Sequence, residues 1–134
     1  MRRWNGWGDS GIVKALPPGA LALLEERIGA GRPQKDTARE KMIAGMPPAR
    51  VHAAADFISV DAGDRLDRAH GQSLPDWVGF RCGTLRRFPD AVAFPVSESQ
   101  LADACAFADK HDMIIIPYGG GTSVVGHLDV PEAD

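Results

Sequence analysis

The residues whose types and spacing could do chemistry stand together in Pro117-Tyr118-Gly119-Gly120-Gly121-Thr122-Ser123-Val124-Val125-Gly126. Three consecutive glycines let a backbone approach a ligand closely and take φ values that other residues avoid. Successive N–H groups in such a turn make a concave site for an anion. The hydroxyls of Thr122 and Ser123 add donors for phosphate oxygens. The chemistry this predicts is the cradling of a diphosphate. A Walker A loop is excluded, because no lysine follows the glycines. A dinucleotide fingerprint is excluded by Val124, which breaks the G-x-G-x-x-G spacing. The β-branched run Thr122–Val125 also suits extended chain better than a helix start. A glycine-rich hairpin with no ligand competes on the triplet alone, and the preceding elements weigh against it.

Those elements read as strand, helix, strand. Ala91-Val92-Ala93-Phe94-Pro95 is a short strand ended by proline. Ser97-Glu98-Ser99-Gln100 is a capping box, followed by an apolar helical face of Leu101, Ala104, Cys105 and Ala108. Met113-Ile114-Ile115-Ile116 is a continuous apolar run, as expected of a strand buried on both faces. The pattern predicts a right-handed βαβ unit with parallel strands, delivering the glycines at a strand end.

Upstream, residues 1–48 read as an irregular and helical arm without strand signal. Leu21, Leu24 and Ile28 form one stripe of a short helix, stopped by Gly29 and Gly31. A second helix is expected around Thr37–Ala44 with Asp36 as its N-cap. Residues 49–87 read as a linker segment. In it, the charges of Asp64-Arg65-Leu66-Asp67-Arg68-Ala69-His70-Gly71 alternate in sign, suggesting a polar surface turn or helix, and 75–90 is expected to be a loop carrying Trp77, Phe80 and Phe88. Trp4 and Trp7 are expected to stay exposed or poorly ordered on these 134 residues.

Composition limits the function classes. The formal net charge is -3, which excludes a basic nucleic-acid binder. Residues 1–50 carry 9 basic and 5 acidic side chains, and residues 51–134 carry 6 and 13. Two cysteines, Cys82 and Cys105, are too few for a disulfide scaffold and match no zinc pattern. The four histidines stand at no ligand spacing, so no metal site is expected. No run reaches the ~18 apolar residues of a membrane helix. Arginine- and alanine-rich usage suggests a bacterial cytoplasmic protein, with peripheral membrane association left open.

The stretch Phe88–Leu128, with Phe88-Pro89-Asp90 and Ile116-Pro117-Tyr118-Gly119-Gly120-Gly121-Thr122-Ser123, resembles the start of the FAD-binding domain of the vanillyl-alcohol oxidase / p-cresol methylhydroxylase family. Arg3-Trp4-Asn5-Gly6-Trp7-Gly8 and Asp64–Gly71 look like its alkyldihydroxyacetonephosphate synthase subfamily. The resemblance implies an α+β fold: a helical arm, a linker segment, and from 88 to 134 the incomplete start of a PCMH-type FAD-binding domain. It implies that Pro117, Tyr118, Gly119, Gly120, Gly121, Thr122 and Ser123 wrap the FAD diphosphate, with Gly126 close by. Thr122 stands where some relatives carry a histidine tethered to FAD, so non-covalent FAD is implied. Catalytic residues would lie beyond residue 134, and the 134-residue chain alone would be an inactive N-terminal part. The activity implied is exchange of the acyl group of acyl-dihydroxyacetone phosphate for a fatty alcohol. The alternatives are an FAD-dependent oxidoreductase of a 2-hydroxy acid or alcohol, and a non-catalytic nucleotide-binding module. The partners implied are FAD and a lipid-like small molecule, with a homodimer allowed and no nucleic acid.

Overall fold

A computed structural model describes residues 3–32 and 34–131. In chain order the elements are α1 (Ala20–Ile28), α2 (Arg39–Ala44), β1 (Ile58–Ser59), α3 (Ala62–Asp67), α4 (Leu74–Cys82), β2 (Val92–Ala93) and α5 (Glu98–Lys110). The class is α+β, as the sequence predicts. Strand pairing differs from the expectation. β2 pairs antiparallel with β1, Ile58 opposite Ala93 and Ser59 opposite Val92. The expected second strand of a βαβ unit, Met113–Ile116, is extended chain outside any ladder of the described residues. Nor is it buried: Ile114 is 73% exposed and Ile115 53%. An apolar run specifies a strand only where a neighbouring strand pairs with it; among the described residues none does, and the Met113 N–H instead donates to the Ala108 carbonyl at 2.9 Å.

The core is small and centred on α3. Leu66 and Ala69 are fully buried and cluster with Met42, Phe80 and Phe88. Trp4, Ile43, Met46 and Leu85 pack around them. The first half of the Asp64–Gly71 motif is the helix the charges allowed, but it is not a surface element: Arg65, Leu66, Ala69 and Gly71 are buried while Asp67 faces solvent. Asp61 starts α3 by accepting from the N–H groups of Gly63 and Asp64 at 2.7 and 3.1 Å. Arg65, 3% exposed, donates from Nε to the Pro89 carbonyl at 2.7 Å and from Nη2 to the Pro47 carbonyl at 3.1 Å. Arg68 pairs with Asp64 at 3.4 Å and lies over the Phe94 ring at 4.8 Å.

The first half of 75–90, expected to be loop, belongs to the helix α4. Ser73 and Asp76 form its capping box, Pro75 sits in its first turn, and Gly83 ends it at φ 68°. The Ser-x-x-Asp signal is local and was legible. α2 begins at Arg39 with Ala38 as its N-cap; Asp36 caps nothing and instead accepts from Asn5 Nδ2 at 3.2 Å. The tryptophan expectation divides. Trp7 is 53% exposed, but Trp4 docks edge-on against Phe80, ring centroids 6.0 Å apart. α1 forms as its stripe predicts, yet none of its residues is buried. α5 starts at Ser97, whose hydroxyl accepts from Gln100 N–H, while Gln100 Oε1 accepts from Val96 N–H. Only Ala108 of its apolar face is buried.

Two predictions follow from the core. Arg65→Leu should cost about 1–3 kcal/mol for each carbonyl left unpaired, read from the urea midpoint. The hydrogen bond from Arg50 holds the Asp90 carboxyl below the usual carboxylate range. A lowered folded value means that this stability is present above the unfolded value of ~3.9 and lost as pH falls through the folded one. Asp90→Asn should therefore be less stable at neutral pH and lose less stability between pH 4 and 2, measured by thermal melts across that range.

Candidate functional site

The glycine-rich loop is held by the buried motif beneath it. Tyr118 donates its hydroxyl to the Asp67 carbonyl at 3.2 Å, and Gln72 N–H donates to the Ser123 carbonyl at 3.2 Å. Gly71 lies so close under the loop that a Cβ there would overlap the Ser123 carbonyl oxygen and lie 2.7 Å from Ser123 Cβ. Gly121 is buried at φ +69°, and a Cβ on it would overlap the Tyr118 hydroxyl. This glycine is required by the fold of the loop itself. Gly126 also takes a positive φ, +80°.

Gly119 and Gly120 differ from Gly121. Both are exposed; a Cβ on Gly119 meets nothing within 4 Å, and on Gly120 only the Thr122 methyl at 3.9 Å. A side chain at either position would border open space. Thr122 is exposed beside them, and Pro117 is exposed at the loop entrance. Ser123 is turned inward: it is 5% exposed and its Oγ lies 2.9 Å from His127 Nδ1. The predicted residues thus form one continuous loop with an open face at 119, 120 and 122, and an inner face at 121 and 123.

A second constellation, missed in the sequence, lies beside the loop. His70 Nδ1 is 3.1 Å from Asp129 Oδ1 and 3.4 Å from Asp76 Oδ1. Asp76 Oδ2 accepts from the Ser73 N–H and hydroxyl at 2.9 and 2.7 Å. The α4 cap therefore also orients the imidazole. The ligand-type atoms of His70, Asp76 and Asp129 all lie within 4.8 Å of one another. A proton on Nδ1 shared between the two carboxylates accounts for these distances. His70 and Asp76 are near neighbours in sequence, but Asp129 lies 59 residues from His70, so no spacing rule could have grouped the three. His111 caps the C-terminus of α5, with its ring 4.5 Å from that of Phe107.

The fold and loop define an α+β domain with a glycine-rich loop exposed at 119, 120 and 122. No family model matches the chain. The chain is similar to an alkyldihydroxyacetonephosphate synthase of Caenorhabditis elegans, 42% identical over 76 residues, 57% of this chain and 13% of that protein. A protein of the same name from Trypanosoma brucei brucei is 27% identical over an alignment of 157 positions, 95% of this chain and 26% of that one. A solved structure of an alkyldihydroxyacetonephosphate synthase has this fold, with a TM-score of 0.71 at 20% identity, covering 98% of this chain and 30% of that one. The chain thus resembles part of an alkyldihydroxyacetonephosphate synthase-like protein and spans between 13% and 30% of the length of these relatives.

Gly71→Ala should displace the loop, because the new methyl meets backbone that cannot yield. Limited proteolysis should then cut within 117–126 faster than in the unaltered protein. Gly119→Ala, pointing into open space, should leave the cleavage rate unchanged.

Proposed function

We propose that the protein carrying this chain is an FAD-dependent enzyme of the alkyldihydroxyacetonephosphate synthase type, and that this chain supplies its diphosphate cradle. The observation that carries the reading is the exposed pair Gly119 and Gly120, with open space beside Gly119, held in place from behind by Tyr118, Gly121 and Gly71. A diphosphate seated there would meet the N–H groups of the glycine run and the Thr122 hydroxyl. Pro117 and Gly126 flank the cradle in sequence, and the inward bonds of Ser123 hold its shape. Because the loop is braced before any ligand arrives, little ordering cost accompanies binding.

The bound flavin would supply the electron sink that the reaction needs, and this chain's part is to bind and orient it. With Thr122 in the loop, retention is non-covalent at this position. The substrates proposed are acyl-dihydroxyacetone phosphate and a long-chain alcohol, giving the alkyl ether and a fatty acid. The similarity to proteins named alkyldihydroxyacetonephosphate synthase supports this over the oxidoreductase and the non-catalytic module.

Gly119→Val and Gly120→Val should each lose the yellow flavin absorbance of the purified intact protein while keeping its circular dichroism, since their side chains fill the cradle and not the fold. Gly121→Val should lose both the flavin and the loop. Full flavin occupancy in Gly120→Val would sink the cradle assignment. Formation of alkyl ether from the two substrates tests the activity. Bleaching of the flavin by lactate, without ether formation, would favour the oxidoreductase.

A further inference from the structure

We propose that the small cavity between the N-terminal arm and the Asp64–Gly71 motif is a second anion site, specific for a phosphate head group. It is separate from the glycine loop and rests on no part of the flavin reading. The cavity holds about 100 Å³ and is lined by Arg3, Trp4, Asp67, Arg68, His70, Gln72 and Phe80. That volume is well below the ~300 Å³ of ordinary small-molecule pockets, so it admits a head group and not a nucleotide or acyl chain.

Two of its nitrogens stand unsatisfied. Arg3 Nε and His70 Nε2 are buried and have no hydrogen-bond partner among the described residues. The His70 side chain is only 10% exposed. Such groups are costly to bury unpaired, so each marks a place where a partner atom belongs. The other polar groups are oriented to donate. Gln72 Oε1 accepts from Trp77 Nε1 at 2.8 Å, leaving the amide NH₂ of Gln72 as a donor. Asp67, the one acid of the lining, is engaged by Arg39 at 3.1 Å. Arg3 and Arg68 bring guanidinium groups to the lining: Arg3 Nη2 donates to the carbonyls of Asp9 and Ile12 at 3.3 and 3.0 Å, leaving its Nε free, and Arg68 pairs with Asp64 through Nη1 at 3.4 Å.

The His70 ring selects among oxyanions. Its Nδ1 faces Asp76 and Asp129, which accept only, so Nδ1 carries a hydrogen. Nε2 then offers a lone pair in the neutral ring and an N–H in the charged one. A phosphate or phosphate monoester has its second pKa near 6 and presents both P–O–H and P–O⁻ at neutral pH. It can therefore meet Nε2 in either state while its other oxygens accept from Arg3, Arg68 and Gln72. A carboxylate offers the O–H only when it is protonated and neutral.

The test is calorimetric titration of the intact protein with inorganic phosphate and with methyl phosphate, using acetate at equal ionic strength for comparison. Saturable binding of either phosphate species is expected, and the tighter of the two identifies whether a free ion or a monoester is the natural occupant. Arg3→Met should weaken that binding at least about tenfold while leaving flavin content unchanged, and Arg68→Gln should weaken it similarly. Phosphate should also shift the His70 Nε2 resonance in ¹⁵N NMR of the unaltered protein, a readout that does not depend on either variant folding. No saturable binding of either phosphate species, acetate binding as tight as phosphate, or unchanged affinity in a folded Arg3→Met would each overturn the proposal. Loss of flavin from the glycine-loop variants with phosphate binding intact would separate this site from the cradle.

Discussion

A single guanidinium joins stretches of chain that no regular element connects. Arg65 is buried and donates to the carbonyls of Pro47 and Pro89, residues on opposite sides of it in sequence. Prolines lack an N–H and commonly leave their surroundings short of ladder partners. Pro89 is half-buried and Pro47 exposed, so the Pro89 carbonyl depends most on this bond. Burial disfavours the charge on Arg65, and the nearby Asp90 carboxylate offsets that. Asp90 is itself held by Arg50 through paired contacts of 2.6 and 3.0 Å. The result is a polar frame around Leu66 and Ala69, and everything that could bind a ligand is built on it.

The frame reaches the candidate sites through short contacts. Gly71 follows the buried motif directly and, lacking a side chain, lets Ser123 rest on it. Asp67 offers its carbonyl to Tyr118 and its carboxylate to Arg39. Asp76 caps α4 with one oxygen and faces His70 with the other. One helix cap thus sets both a backbone terminus and an imidazole orientation. The loop is braced from its buried inner face at Gly121 and Ser123, while 119, 120 and 122 stay exposed.

The apolar side chains are less completely used. The chain exposes 9694 Å², against roughly 6,800 Å² expected of a compact monomer of this mass by surface scaling. Leu21, Leu23, Leu24 and Ile28 of α1, Leu101 of α5, and Ile114, Ile115, Val124 and Val125 beside the loop are all well exposed. Those side chains have helical or strand patterning without a surface to pack on among the described residues. Patterning specifies which face would be buried, and burial needs a partner surface.

Local signals in the sequence determined the helices at 20–28 and 98–110, the cap at Ser97, and the α+β class. Each depends on residues within one or two turns of one another, which is why it is readable without a fold. The α4 cap was equally local and could have been read from Ser73, Pro75 and Asp76. Tertiary structure decided the rest. The alternating charges of Asp64–Gly71 look solvated in sequence, yet Arg65 finds its acceptors at positions 47 and 89 and becomes interior. His70 meets Asp129 across 59 residues, and Trp4 meets Phe80 across the whole arm. Gly121 and Gly119 are identical in sequence, but only the placement of Tyr118 makes one a requirement of the fold and leaves the other open to a ligand. Contacts of this kind depend on which distant segments pack together, and spacing along the chain carries no record of that.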